Sequence, residues 1–169
     1  MDENKWFSDE NVIQKSKKAY AHFDLRTNVV KARKYITNPD KIKHHGFYPF
    51  IKYVMRYDRF HKVNGKLAFD PKEREICYSA HIDRCIYQYY SALLNEKYNL
   101  RLKHDGINNV PVAYRTDLHC NNIDIFRQAI DFIRECQSCY VMIGDFTDFF
   151  DKINHQYLKR QLCNLLGIK

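Results

Sequence analysis

Apolar and polar residues alternate with the period of an α-helix along much of this chain. The clearest case runs from His81 to Tyr98, where one face of a helix would carry apolar side chains. Those residues are Ile82, Cys85, Ile86, Tyr89, Leu93 and Leu94. The same period predicts helices over residues 9–23, 28–36, 122–135 and 155–166. Asn38-Pro39 predicts a further short helix that ends near Gly46, because Asn is a good N-cap and Pro suits the first helical position.

Strand signals are confined to two parts of the chain. Asn64-Gly65 is a strong hairpin signal, because both residues tolerate positive φ, and it predicts strands over residues 59–63 and 66–69. A further strand is predicted over residues 74–79, whereas the pattern of residues 47–59 fits a helix as well as a strand. The apolar run from Tyr140 to Ile143 predicts a short buried strand. Together these elements predict an α+β fold.

The chain is basic and rich in aromatic residues. It holds 28 Lys and Arg against 20 Asp and Glu, a net charge of +8, with a pI near 9.1. This balance favours a polyanionic partner, and some of the 13 Tyr and 11 Phe could stack on bases. The predicted sheet concentrates basic residues, although a solvated basic strand is the alternative interpretation. Those residues are Lys62, Lys66, Lys72 and Arg74.

No segment has the pattern of a secretion signal or a membrane span. The first ten residues are acidic and polar, and no apolar run approaches the roughly 20 residues that a spanning helix needs. We therefore expect a cytoplasmic protein with no membrane partner and with reduced cysteines. Cys136 and Cys139 form a C-x-x-C motif near Cys120 and His119, which is conceivable for zinc but favours structural thiols.

Three acids follow the predicted strand that ends at Ile143. Asp145 comes directly after Gly144, and Asp148 and Asp151 follow at intervals of three residues. A carboxylate at the end of a buried strand is well placed to hold Mg²⁺, which prefers oxygen ligands. The alternative is a helix start whose acids are favoured by the helix dipole.

The segment GDFTDFFDKINH resembles motif A of bacterial reverse transcriptases, those of group II introns, retrons and antiphage defence systems. The matching positions fall in place without a gap. They are Asp145, Phe149, Phe150, Asp151, Ile153, Asn154 and His155. The resemblance implies two-metal nucleotidyl transfer with Mg²⁺, in which the Asp145 carboxylate and the Phe146 carbonyl bind metal. It also implies that Phe150 excludes the 2′-hydroxyl of a ribonucleotide, and a place in the palm core is an alternative that can hold together with this role.

The segment KEREICYSAHIDRCIYQYY is similar to the fingers block of the same family. Its spacing is kept by Arg74, Ile76, Asp83, Arg84 and Ile86. The family usually has Pro near Ser79 and Gln one residue before Gln88, so this chain departs from the pattern at two places. The run from Ala113 to Arg115 is similar to the segment that leads into motif A. The resemblance covers roughly residues 47–166, and its variants are closer to the defence-associated groups than to group II intron maturases.

By this resemblance, Lys72 and Arg74 contact the nucleotide triphosphate, with Lys66 as a weaker candidate. We also expect Lys62 and Lys66 of the basic sheet to contact nucleic acid. Arg115 would help to hold the template or the nucleotide. Two alternatives stay open for these residues: a solvated basic strand, and for Arg115 a buried ion pair with Asp83 or Asp117.

The resemblance implies three regions: a helical N-terminal extension (1–46), fingers (47–136) and the start of a polymerase palm (137–169). The family also needs a later Tyr-X-Asp-Asp motif, and the sequence contains no Asp-Asp pair. We therefore expect the front part of a longer RNA-directed DNA polymerase, inactive alone and able to self-associate through its incomplete palm. Its partners would be an RNA template, a DNA or RNA primer and deoxynucleoside triphosphates. The alternative is a non-catalytic basic RNA-binding module with a polymerase-like fold.

Overall fold

The structure is a computed structural model that describes residues 1–115 and 117–168. It is a mixed α+β structure in which the described residues form seven helices and one two-stranded antiparallel sheet. The chain divides into two compact units, Met1–Ala92 and Leu93–Lys169. No helix in the described ranges has the length and apolar content needed to cross a membrane. The division into extension, fingers and palm stays a prediction.

Short helices pack on the first half of a long one in the first unit. The short helices are α1 (Glu3–Ser8), α2 (Glu10–Ser16), α3 (Val29–Ile36) and α4 (Pro39–Lys43), and the long one is α5 (His81–His104). The rings of Phe7 and Tyr89 stack with centroids 5.7 Å apart, and Ile36 and Ile86 are buried beside the same elements. Burial of this apolar face is the main stabilising contribution to the unit.

Asn38 acts as an N-cap, as predicted, and Asn28, predicted as the first residue of its helix, caps that helix instead. Their side chains accept hydrogen bonds from the backbone N–H groups of Lys31 and Lys41. The predicted helix over residues 9–23 is wrong beyond residue 16, because the Ser16 hydroxyl is buried and bonds Ile13 and Val29. The predicted end of the fourth helix near Gly46 lies three residues beyond the observed end at Lys43.

Tyr20, which was predicted to lie on a helix, instead fixes a loop against the start of α5. Its ring stacks on His81 at 4.6 Å and its hydroxyl donates to the carbonyl of Ser79 at 2.8 Å. Asp24 in the same loop accepts a hydrogen bond from the Ile82 backbone N–H at 3.0 Å. Asp24 thus caps α5 from a distance, since Ala80 at the helix start has no polar side chain.

The two strands form one long hairpin, β1 (Ile51–Val63) and β2 (Lys66–Tyr78). Asn64 and Gly65 form the turn with φ of 52° and 78°, which confirms the hairpin prediction. Residues 66–69 and 74–79 were predicted as separate strands, but the ladder runs unbroken from Lys66 to Tyr78. Pro71 is tolerated within it because each strand of a two-stranded ribbon has one unpaired edge.

The second unit contains the rest of α5, then α6 (Asn122–Glu135) and α7 (His155–Leu166), both with the predicted bounds. Asn121 and Asn154 cap them, and Gly167 ends α7 with φ of 69°. The strand predicted at Tyr140–Ile143 does not form: the segment is irregular and its side chains are exposed. Strands need a neighbour to pair their backbone groups, and the described residues of this unit offer none.

Candidate nucleic-acid interface and acidic turn

The hairpin register divides the predicted basic residues between two faces. Each residue of β1 lies opposite one residue of β2, and the residue numbers of such a pair always add up to 129. Tyr57, for example, lies opposite Lys72. Because side chains alternate along a strand, odd positions of β1 share a face with even positions of β2. Lys66, Lys72 and Arg74 therefore lie on one face, whereas Lys62 lies on the other.

The first face, which we call the basic face, combines cations with aromatic rings. Its charged members are Arg59, Lys66, Lys72, Arg74 and Asp70, and its aromatic members include Tyr53 and Tyr57. Within the described ranges no ion pair joins its four cations to an acid. The Arg74 guanidinium lies 5.5 Å from the centre of the Tyr57 ring. Tyr57 and Lys72 are half-buried, so the face presents partly ordered side chains.

The opposite face, which we call the neutral face, is balanced in charge. Arg56 pairs with Glu73 at 2.7 Å and Lys52 pairs with Glu75 at 2.5 Å. Phe60 and Phe69 meet edge to face across the strands, with ring centroids 4.9 Å apart. Lys62, predicted to contact nucleic acid, lies on this face. The hairpin therefore carries its net positive charge on the basic face, where four cations meet one acid.

Arg59, Tyr53 and Tyr57 are members of the basic face that the sequence analysis did not identify. A two-residue turn at Asn64-Gly65 fixes the register, so the sequence contains the signal for their placement. The pattern of residues 47–59 fits a helix as well as a strand, so the pattern by itself does not show that these residues share a face.

Asp145 belongs to an exposed acidic turn in the second unit. The Asp145 carboxylate accepts a hydrogen bond from the Phe146 backbone N–H at 2.9 Å. Asp148 has a positive φ of 54° and pairs with Lys152 at 3.1 Å. Residues of the turn line a cavity of about 580 Å³ that is open to solvent. Its lining consists of Asp145, Phe146, Asp148, Phe149, Phe150 and Asp151.

The acidic turn supplies ligands of the right kind for Mg²⁺ but not a finished metal site. Carboxylates are suitable oxygen ligands, and Asp145, Asp148 and Asp151 all line the cavity. Yet the described residues include no group of three His, Cys, Asp or Glu close enough to hold an ion. A two-metal site would need further carboxylates, and the metal role of Asp145 and Phe146 stays a prediction. Phe150 is 74% exposed, so it lines the cavity and is not part of a core here.

Arg115 forms a structural bridge within its own loop. Its guanidinium is fully buried and donates to both carboxylate oxygens of Asp117, at 2.7 and 3.1 Å. It also donates to the Asn108 side chain at 2.9 Å and to the Pro111 carbonyl at 3.3 Å. Hydrogen bonds from Arg115 lower the pKa of Asp117 below its usual range. These contacts match the ion-pair alternative with Asp117 and occupy the donors that a nucleotide would use.

Asp83 and Arg84 also make structural contacts. The Asp83 carboxylate lies 2.7 Å from Nε2 of His45 and accepts the Tyr48 backbone N–H at 2.9 Å. Arg84 donates to the carbonyl of Ser16 at 2.6 Å. Neither residue lies free at a surface.

Protein-family models and curated protein sequences were compared with this chain, and none of them matches it.

Proposed function

We propose that this chain is the nucleic-acid-binding fingers and the first palm segment of an RNA-directed DNA polymerase. The setting that the motifs favour is bacterial antiviral defence or a mobile element. The observation that carries the proposal is the basic face, where four cations without an ion-pair partner among the described residues lie beside two tyrosines, while the opposite face is balanced in charge.

Phosphate contact is the first function that the basic face supports. Cations without an acidic partner can neutralise phosphates and release counterions, which is the main source of sequence-independent nucleic-acid affinity. Lys66 lies next to the turn, while Lys72 and Arg74 follow along β2 with the same side exposed. Their spacing along an extended strand suits a nucleic-acid backbone or the phosphates of a bound nucleotide.

Base stacking is the second function. Tyr53 and Tyr57 lie on the same face as the cations, so bases could stack beside the phosphate contacts. Arg74 already lies over the Tyr57 ring at a cation–π distance. This contact holds the guanidinium against the sheet and reduces the entropy lost when it binds a phosphate.

The polymerase part of the proposal rests on the motif A resemblance around Asp145 and Phe150. Asp145 and the Phe146 carbonyl would bind Mg²⁺ once further carboxylates are present, and the metal ions would stabilise charge on the transferring phosphate. Residues 1–169 contain no Asp-Asp pair. We therefore expect that the chain alone does not extend primers, while its basic face still binds RNA.

A second candidate is a non-catalytic RNA-binding module. It is favoured by one observation: the acids of the turn do not assemble a metal site within the described ranges. Both candidates use the basic face, and they differ in whether Asp145 acts in chemistry.

Binding of a fluorescent single-stranded RNA, followed by anisotropy over a range of salt concentrations, tests the shared part of the proposal. We expect the logarithm of the association constant to fall linearly with the logarithm of salt concentration. If the four cations each neutralise one phosphate, the slope is about −3. An affinity that does not change with salt would contradict phosphate contact by these residues.

A further inference from the structure

A basic cleft lies in the first unit, between the end of α2 and the start of α3. It has a volume of about 260 Å³, at the small end of ligand sites in proteins. Seven residues line it: Lys17, Lys18, Ala19, Arg26, Thr27, Asn28 and Lys31. Four of the seven are cations and no acid is among them.

The cleft gathers positive charge where the local structure disfavours it. Lys31 lies in the first turn of α3, whose N-terminus carries a partial positive charge and is better suited to an acid. That turn contains no acidic residue. Lys17, Arg26 and Lys31 also have no ion-pair partner within the described ranges. Repulsion among these cations is unfavourable, and attraction of each of them to a bound anion would offset it.

The walls of the cleft are held in place by buried contacts. Arg84 bridges the two segments, donating to the carbonyl of Ser16 at 2.6 Å and to that of Thr27 at 3.3 Å. The buried Ser16 hydroxyl accepts the Val29 backbone N–H at 3.4 Å. Arg26 donates to the carbonyl of Ala19 at 3.3 Å across the cleft mouth. The cations are therefore carried on a fixed backbone, which lowers the cost of ordering a ligand.

We propose that this cleft binds a compact oligophosphate group, either at the 5′ end of an RNA or on a free molecule. Four cations match a group with several negative charges better than a single phosphodiester. The cleft is small, which suits a phosphate chain and not a whole nucleotide base with its sugar. This site is independent of the hairpin and does not rest on the proposed polymerase function.

Thermal melting of the 169-residue chain with sodium tripolyphosphate tests the proposal, with sodium chloride at equal ionic strength as the salt control. Binding to the folded state raises Tm in a saturable way. Lys31→Gln removes one cleft cation, and Lys34→Gln is the matched control because it lies on the same helix outside the cleft. We expect Lys31→Gln to raise the half-saturating concentration about tenfold. Lys34→Gln should leave it unchanged.

The source of the phosphate is identified with two RNAs of one sequence, one with a 5′-triphosphate and one with a 5′-hydroxyl. Tighter binding of the triphosphate form, lost in Lys31→Gln, assigns the cleft to RNA ends. Equal binding of both RNAs, with the tripolyphosphate shift retained, assigns it to a free oligophosphate. The proposal is overturned if tripolyphosphate gives no saturable shift, or if Lys34→Gln weakens the shift as much as Lys31→Gln. Failure of the hairpin to bind RNA would leave the tripolyphosphate result unaffected.

Discussion

Arg115 and Asp117 are joined by two parallel hydrogen bonds, which match the ion-pair alternative for Arg115. Its contact with template or nucleotide stays a prediction. The two bonds run from Nη2 and Nε to the two carboxylate oxygens. Such bidentate pairs are stronger and more directional than single contacts. The loop between α5 and α6 is therefore fixed by an internal bridge.

Asp117→Asn should lower Tm, because it removes the charge that pairs with the buried guanidinium of Arg115. Differential scanning calorimetry measures the change. The matched control is Asp131→Asn, which removes an acid from an exposed pair with Arg134 and should leave Tm nearly unchanged. Equal effects of the two variants would show that the Arg115 bridge contributes no more than a surface pair.

Asp24→Ala should reduce the free energy of unfolding by about 1 kcal/mol at pH 7, because it removes the cap of α5. Burial acts to raise the pKa of Asp24, but hydrogen bonds from the backbone of His81 and Ile82, with nearby His charge, hold it below 3.8. Because the pKa of Asp24 is lower in the folded state than in the unfolded chain, the ionised carboxylate stabilises the folded state at pH values above 3.8. That stability is lost as the pH falls through the lower folded value.

The difference between wild type and Asp24→Ala in urea unfolding should therefore narrow as the pH is lowered from 6 to below 3.8. Asp24→Asn keeps an acceptor for the helix N–H groups and should cost less at pH 7. A difference that stays constant over this pH range would show that the Asp24 charge does not contribute to capping.

Asp145→Asn should abolish primer extension, with activity falling by a factor on the order of 10³ or more, if Asp145 binds a catalytic metal. The assay needs a protein that also carries the Tyr-X-Asp-Asp carboxylates, because residues 1–169 lack an Asp-Asp pair. A thermal melt without metal should show no loss of stability, since the side chain is exposed. Asp151→Asn is the control and should be far milder. Normal extension by Asp145→Asn would favour the non-catalytic module.

The segment from Tyr140 to Ile143 should drive self-association. Met142 and Ile143 are 96% and 93% exposed, and adjacent exposed apolar side chains favour contacts between molecules. Light scattering over a concentration series should show oligomers that Met142→Ser with Ile143→Ser reduces. Val110→Ser, at an exposed apolar position in a separate loop, is the control. A wild-type monomer at every concentration would contradict this prediction.

Local signals predicted much of the secondary structure. The bounds of α6 and α7 and the cap at Asn38 follow from periodicity and from a side chain that bonds the next turn. The Asn64-Gly65 turn is equally local. These features need no information from distant parts of the chain, which is why the sequence was enough.

The errors come from contacts between distant residues. The helix expected over residues 9–23 ends early because Ser16 bonds Val29, and Tyr20 stacks on His81. No local pattern records those partners. Likewise the strand at Tyr140–Ile143 depends on a neighbouring strand, and an apolar run does not show whether one is present. For the site, residue types predicted a basic, aromatic sheet, but only the hairpin register separates Lys62 from Lys66.

The most direct test of the account is RNA binding by two double variants that remove the same charge from opposite faces of the hairpin. Lys66→Ser with Lys72→Ser changes the basic face, and Lys52→Ser with Lys62→Ser changes the neutral face. All four residues lie on the hairpin, so folding should be little affected. We expect the affinity of the basic-face variant for RNA to fall about tenfold. The slope of the logarithm of its association constant against the logarithm of salt concentration should become less negative by about 1.4. The neutral-face variant should stay close to wild type in both measurements. Equal losses from both variants would contradict the account, because net charge and not the basic face would then determine binding.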